Sequence, residues 1–293
     1  MDRNLLKPTH LQEICKQCGL TPSKKYGQNY LISDSPIKKM IEAADVVKTD
    51  TIIEVGPGFG VLTFALTEKA KKVIAFEIER KLQKYWDEVK PDNLEVIWGN
   101  ALNKVQDVSD EIKNYKVVAN LPYQITSNVL RTLLELENKP KSITVMVQKE
   151  VADRIVAKPG DMSMLAVSVQ YYGEPKIVTK VAKGSFWPAP KVDSAVLHIR
   201  IKDKGLRNIQ LLDEIASNGI GGKEFDKLFF EVVKAGFANK RKQLWRNLSV
   251  GLKSDSEEIK DILKEVVGNE KIRAEELSVE QWVEITKDLK PKT

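Results

Sequence analysis

The chain has 293 residues, 42% of them hydrophobic and 30% charged, which is enough apolar material to bury a core and enough length for two domains. No apolar run reaches the roughly 18 residues of a membrane span, and the start, MDRNLLKPTH, is too polar for a signal peptide, so neither membrane nor export is expected and the expected compartment is the cytoplasm. Net charge is +6, but Ser254 to Thr293 carries 11 acidic and 7 basic residues, so the basic excess belongs to the first 253 residues and points to a polyanionic partner such as nucleic acid.

Cys15 and Cys18 form a lone CxxC, with His10 upstream and the only other histidine, His198, in the strand-like VLHIRI. A zinc site lacks its full ligand set in that pattern, and two thiols on a short helix in a reducing compartment are expected, with no metal. There is no internal repeat and no low-complexity tract. Short β-rich runs recur instead: TIIEVG (51–56), KKVIAFEI (71–78), LEVIWG (94–99), KVVANL (116–121) and SITVMVQ (142–148). Between them, TFALTEKA and SNVLRTLLEL have helical spacing. Alternating strand and helix predicts an α/β, Rossmann-like parallel sheet covered on both faces, with ligands bound beyond the strand C-termini. LAVSVQYYG and VDSAVLHIRI read as two further strands. Past Lys204 the pattern is helical, so the sheet domain is expected over 1–204 and a smaller, all-helical domain over 205–293.

The first strand runs into Glu54-Val55-Gly56-Pro57-Gly58-Phe59-Gly60, a turn in which glycine lets backbone approach a ligand at a helix N-terminus. Val61 stands where the dinucleotide pattern GxGxxG asks for a small residue, which argues against NAD. Glu77 ends the next strand, 21 residues after Gly56, where a carboxylate can hold both hydroxyls of a ribose. A nucleoside-binding sheet without the dinucleotide pattern suggests S-adenosylmethionine. The third strand's end, Gly99-Asn100-Ala101, would then face the cofactor's adenine, and the fourth would end beside the methyl group.

That fourth strand ends in Asn120-Leu121-Pro122-Tyr123. The exocyclic amine of a nucleobase is a poor nucleophile because its lone pair is delocalised into the ring. An amide oxygen and a backbone carbonyl that accept its two hydrogens let the nitrogen pyramidalise, which is orientation and charge stabilisation without a strong base. Pro122 fixes the elbow, and Tyr123 is placed to stack on a base turned out of its strand. A proline-rich loop, Gly184 to Ser194, adds Phe186 as a candidate for the other face of that base.

With these residues in view, the chain resembles the KsgA/RsmA type of rRNA adenine dimethyltransferase over about residues 10 to 289. The marks are Lys25 to Leu31, Glu54 to Gly60 with Leu62-Thr63, Asn120 to Tyr123, Gln148 to Arg154, Phe186 to Ser194, Phe237 to Lys242, and Arg273 to Leu277. The resemblance implies a class I fold using S-adenosylmethionine and N6,N6-dimethylation of two adjacent adenines near the 3′ end of 16S rRNA in the immature 30S subunit, by a monomer. It also implies that Gln28, Asn29 and Leu31 cover the cofactor, that Gly56, Gly58 and Glu77 hold its methionine end and ribose, and that Asn120, Tyr123 and Phe186 hold the adenine. Two positions depart from the pattern. Asn100 stands where the family usually has Asp, and the loop after Lys158-Pro159-Gly160 reads DMSMLAVS, shorter than usual and without the customary Tyr-Gly-Arg.

Further on, Lys234, Lys240, Arg241, Lys242 and Arg246 occur with no acid between them and are interleaved with Phe237, Leu244 and Trp245. Read as one amphipathic helix, they form either a solvated basic face or a phosphate-binding surface, and a nucleic-acid enzyme upstream favours the second, with Lys240, Arg241 and Lys242 at its centre. Two other readings stand beside the small-subunit enzyme: a large-subunit rRNA methyltransferase of the resistance type, which shares the fold and an Asn-(Ile/Leu)-Pro-(Tyr/Phe) motif, and a binding factor that kept the fold without catalysis. The Phe237 to Lys242 and Arg273 to Leu277 blocks favour the first, and the intact Asn120 to Tyr123 speaks against the last.

Overall fold

The computed structural model describes residues 3–22, 27–202 and 222–289. The described chain begins with helix α1 (Pro8–Gln17), the two-residue strand β1 (Tyr30–Leu31) and helix α2 (Asp34–Ala43). Alternation follows as expected: β2 (Thr51–Val55), α3 (Val61–Thr67), β3 (Lys72–Glu77), α4 (Gln83–Val89), β4 (Leu94–Trp98), α5 (Val105–Asp110), β5 (Tyr115–Asn120), α6 (Thr126–Glu135), β6 (Ser142–Gln148) and α7 (Lys149–Ile155). Then come α8 (Met164–Tyr172), β7 (Gly173–Val181), the short β8 (Phe186–Trp187) and β9 (Ser194–Ile201). Four helices complete the described chain: α9 (Gly222–Gly236), α10 (Leu244–Leu252), α11 (Ser256–Val267) and α12 (Val279–Asp288).

One seven-stranded sheet runs in the order β4-β3-β2-β5-β6-β9-β7. The β4 to β6 strands are parallel, and β9 pairs antiparallel with β6. Ile52, Ile53, Val73, Val117, Val118, Ile143 and Val145 are all buried, as strands covered on both faces require. From β2 the chain moves outward to β3 and β4, then returns and moves the other way through β5 and β6. The turns beyond β2 and β5 therefore diverge and leave a crevice at their C-terminal ends.

The chain divides into two compact units, Met1–Asp153 with Glu174–Ile201, and Arg154–Gly173 with Lys202–Thr293. The division is discontinuous, so residues 154–173, assigned to the sheet domain on sequence, belong to the helical unit; the expected boundary near residue 205 lies outside the described residues. LAVSVQYYG is also corrected. It is the helix α8 and not a strand: the Ser163 hydroxyl accepts from the Ala166 N–H at 3.2 Å to start it, and its residues are buried on several sides, which erases the amphipathic period that would mark a helix. Tyr171 stacks on Phe229 of α9 with ring centroids 4.1 Å apart and donates to Asp226 at 2.6 Å. The shortened loop before α8 is fastened as well, since the Gly160 and Met162 N–H groups both donate to the Glu275 carbonyl, at 2.9 and 3.1 Å.

Candidate active site

The crevice beyond β2, β3 and β5 opens into a pocket lined by Gly27 to Leu31, Glu54 to Phe59, Glu77, Gly99 to Ala101 and Asn120 to Tyr123. Of the residues proposed from sequence for cofactor and target, Gln28, Asn29, Leu31, Gly56, Gly58, Glu77, Asn100, Asn120, Leu121, Pro122 and Tyr123 therefore share one wall system. Phe186 does not. Successive side chains of a strand point to opposite faces, and the β8 register that pairs Phe186 with Leu31 sends its ring into the core, 3% exposed. Trp187 is the half-buried member of the pair and stacks on Tyr30, with centroids 6.4 Å apart.

The glycine turn is shaped by close packing. Gly58 has φ +56°, and a Cβ there would lie 3.1 Å from the Tyr30 ring; Gly60 has φ +87°, and a Cβ would meet Phe64 and Trp86 at 2.7 Å. The Trp86 indole donates to the Gly58 carbonyl at 3.1 Å and the Tyr85 hydroxyl to the Phe59 carbonyl at 2.9 Å, so the turn is held from behind. Glu77 braces it from the side: one carboxylate oxygen accepts the Gly58 N–H at 3.1 Å and the other the Glu79 N–H at 2.8 Å. Burial raises the Glu77 carboxyl above its ordinary value, and the backbone donors oppose that rise. With the Ile78 N–H also directed at the carboxylate, acceptor capacity still remains for a ligand hydroxyl.

Two polar groups here were not singled out from sequence. Glu54 is fully buried on the pocket wall, its Oε2 has no hydrogen-bond partner, and burial, opposed by the nearby Thr63 hydroxyl and then reinforced by the charge of Glu77, pushes its carboxyl up to about 8. The Tyr30 hydroxyl, on the same wall, is likewise buried without a partner. The signal for Glu54 lay in plain view, an acid directly before the glycine turn; that it would be desolvated was not visible. Such orphaned groups in a crevice suit a polar, partly cationic ligand.

Asn100 is exposed and its Oδ1 accepts the Leu102 N–H at 3.0 Å, capping the 3-10 turn of residues 101–103. The second lone pair of Oδ1 and the Nδ2 donor then remain for a ligand. At the β5 end, Asn120 is half-buried, while Leu121 is packed into the core at 1% exposure and its N–H donates to the Met146 carbonyl at 3.2 Å. Leu121 therefore offers the site only backbone. Tyr123 is half-buried and its hydroxyl lies 2.6 Å from the Ser194 hydroxyl. Cys15 is buried, and burial followed by the nearby Cys18 raises its thiol to about 11. Among the described residues, no three His, Cys, Asp or Glu side chains come together to hold a metal, and no helix is long and apolar enough to cross a membrane.

Lys240, Arg241 and Lys242 are exposed, but not on the single amphipathic helix expected for them: they occupy the turn between α9 and α10. α9 ends at Gly236, where a Cβ would meet Trp282 and Leu244, and the buried Asn247 side chain donates to the carbonyls of Gly236 and Asn239, at 2.6 and 3.0 Å, binding the turn's backbone. Among the described residues none of the three is in an ion pair. Arg246 and Lys260 lie over the Trp245 ring, 5.0 and 4.5 Å from its centroid.

A mostly parallel sheet in this strand order, with a glycine turn and an acid at its crevice and a helical C-terminal part, is the architecture of a class I methyltransferase. Residues 19–290 match the ribosomal RNA adenine dimethylase family, to which the chain belongs. It is 40% identical over 274 residues to a ribosomal RNA small subunit methyltransferase A of Dehalococcoides mccartyi, covering 92% of this chain and 89% of that one. A protein of the same description from Bacillus cytotoxicus is 36% identical over 301 residues, covering 99% and 98%. Among solved structures, the fold is shared with a dimethyladenosine transferase from Plasmodium falciparum (TM-score 0.67, 24% identity, 87% of this chain and 95% of that one) and with the 23S rRNA methyltransferase ErmE (0.65, 23%, 88% and 98%).

The buried Glu54 has a pH signature. Its carboxyl ionises near 4.5 in the unfolded chain and near 8 in the fold, so between these values the folded state holds more protons. Its contribution to stability is full below 4.5 and is lost as pH rises toward 8. Glu54→Gln is expected to leave stability near pH 5 little changed and to raise it near pH 8 by about 4 kcal/mol, at roughly 1.4 kcal/mol per pK unit. Glu77, raised in the same direction, leaves part of the slope in place. Urea unfolding of ligand-free protein at the two pH values measures this, and equal effects at both would refute the buried acid.

Proposed function

We propose that this chain, acting as a monomer on the immature 30S subunit, transfers methyl groups from S-adenosylmethionine to N6 of two adjacent adenines near the 3′ end of 16S rRNA, as a step of ribosome biogenesis. The observation that carries the reading is the placement of Asn120 to Tyr123 at the end of β5 on the same pocket wall as Glu77 and the glycine turn. The residues fit the cofactor. Glu77 keeps lone pairs for the ribose hydroxyls, the Gly56 to Gly58 backbone is open to close approach, and the orphaned Glu54 oxygen suits a cationic group. When bound, S-adenosylmethionine supplies an electrophilic methyl group on a sulfonium centre. Gln28, Asn29 and Leu31 would close over it from the N-terminal side of the pocket.

The chain's own part in transfer is orientation. Asn120 Oδ1 and the backbone carbonyl at 121 would accept the two N6 hydrogens, which turns the nitrogen lone pair toward the cofactor, and Tyr123 would hold the base by stacking. Asn120→Ala is expected to lower turnover on the order of 100-fold or more while cofactor affinity stays nearly unchanged. Methyl transfer to small subunits from a source lacking the dimethyladenines tests both the activity and the variant. Transfer confined to large-subunit rRNA would favour the resistance-type reading, and no transfer to either RNA the pure binding factor.

The cap made by Asn100 sharpens a second expectation. With one lone pair of Oδ1 engaged at Leu102, Asn100 keeps a single neutral acceptor site for the cofactor's adenine amine, whereas a carboxylate would cap with one oxygen and accept with the other as a charged group. Asn100→Asp is expected to tighten S-adenosylmethionine about fivefold, a difference near 1 kcal/mol, with saturated turnover little changed. Calorimetric titration decides, and equal affinity of the two proteins would mean that Asn100 does not read the adenine.

Lys240, Arg241 and Lys242 are proposed to hold rRNA phosphates. Replacing all three with alanine is expected to weaken 30S binding irrespective of base sequence and to flatten its salt dependence by roughly one unit of log-log slope per lost contact. An unchanged slope would make the turn an ordinary solvated surface.

A further inference from the structure

Tyr123, just beyond the end of β5, lines the pocket and is the ring proposed to meet the target base, so something must keep its face presented. It follows Pro122 at the start of a single 3-10 turn, Tyr123–Ile125, in which no residue is fully buried, so burial does not by itself fix the ring. Its hydroxyl is held instead, at 2.6 Å from the hydroxyl of Ser194, a residue 71 positions away and completely buried. Either hydroxyl can donate.

Ser194 is well placed to act as a fixed post. It is the first residue of β9 and pairs in register with Gln148, the last residue of β6, so its position is set by the antiparallel sheet and not by the loop before it. That loop is tied at the same point. The Asp193 carbonyl accepts the Lys149 N–H at 2.9 Å, and the Asp193 carboxylate accepts the Lys183 N–H at 2.9 Å. The loop's two ends are thus joined to each other and to the top of α7, one residue from the hydroxyl that meets Tyr123.

We propose that Ser194 is a positioning residue for methyl transfer: its sheet-anchored hydroxyl fixes the orientation of the Tyr123 ring and so presents a preformed stacking face to the target base. Ser194 touches neither base nor cofactor and acts through Tyr123. Without the bond, the ring rotates about its side-chain torsions and only a fraction of encounters finds the stacking geometry. The inference rests on the reading that Tyr123 stacks on the base.

The test is a double-mutant cycle on methyl transfer to immature 30S subunits at saturating cofactor. Ser194→Ala and Tyr123→Phe each remove one hydroxyl and keep the ring. Each is expected to lower kcat/KM about 3- to 10-fold, as loss of one ordinary hydrogen bond does, with S-adenosylmethionine affinity unchanged. Adding Ser194→Ala to Tyr123→Phe is expected to cost nothing more, because the interaction is already gone. Full additivity of the two losses, or no loss in either single variant, overturns the inference. Tyr123→Ala serves as the separate control: if it transfers methyl normally, the stacking reading fails, whereas if it is inactive and the cycle is additive, only the role of Ser194 fails. A purely structural Ser194 would show itself as a lowered unfolding midpoint and a changed cofactor affinity, with the loss persisting in the Tyr123→Phe background.

Discussion

The site depends on a topological constraint: adjacent parallel strands β2 and β5 send their chains in opposite directions, so no crossover covers the crevice at their ends. Every group that matters is delivered there by a strand terminus. β2 ends in Glu54-Val55 and the glycine turn, β3 in Glu77, β4 runs on to Gly99-Asn100, and β5 ends in Asn120. Hydrogen-bonded strands buried on both faces do not shift relative to one another without losing core packing, so the spacing between these groups is as rigid as the sheet.

That rigidity explains how the pocket tolerates buried carboxylates. Glu54 and Glu77 are both desolvated, and the charge of Glu77 adds to the effect of burial on Glu54, as that of Glu79 does on Glu77. Glu77 is offset by two backbone N–H donors, one of them from the glycine turn itself, so the acid and the turn define each other's position. Glu54 has only the nearby Thr63 hydroxyl to oppose its burial, and its Oε2 is without a hydrogen-bond partner. An unpaired buried acid lowers the stability of the empty fold and favours any ligand that brings positive charge or a donor, which couples stability to occupancy.

The helical unit is governed by different physics. Its basic turn is stiffened by small residues and one buried amide: Gly236 against Trp282, Gly251 against Ala235, and Asn247 on two carbonyls. Charged side chains are thus mounted on a constrained backbone while remaining solvated themselves. This arrangement lowers the ordering cost of meeting a polyanion without burying charge beforehand.

Local patterns in the sequence determined the alternating sheet, the glycine turn with its acid, the absence of a dinucleotide pattern and the Asn-Leu-Pro-Tyr strand end, because each is written in a few consecutive residues under steric or periodic constraint. The pocket assembled from Gln28 to Tyr123 was legible for the same reason. What the chain hides locally was misread. α8 looks like a strand because a buried helix has no polar face; Phe186 looks available because an aromatic beside prolines gives no sign of which face its strand will turn inward; and the basic run looks like one helix because the side chain that binds the turn after α9, Asn247, lies outside the run. The Tyr123 to Ser194 contact spans 71 residues and exists only because β6 and β9 pair in one register. Burial, register and long-range hydrogen bonds are properties of the packed chain, and only the tertiary structure decided them.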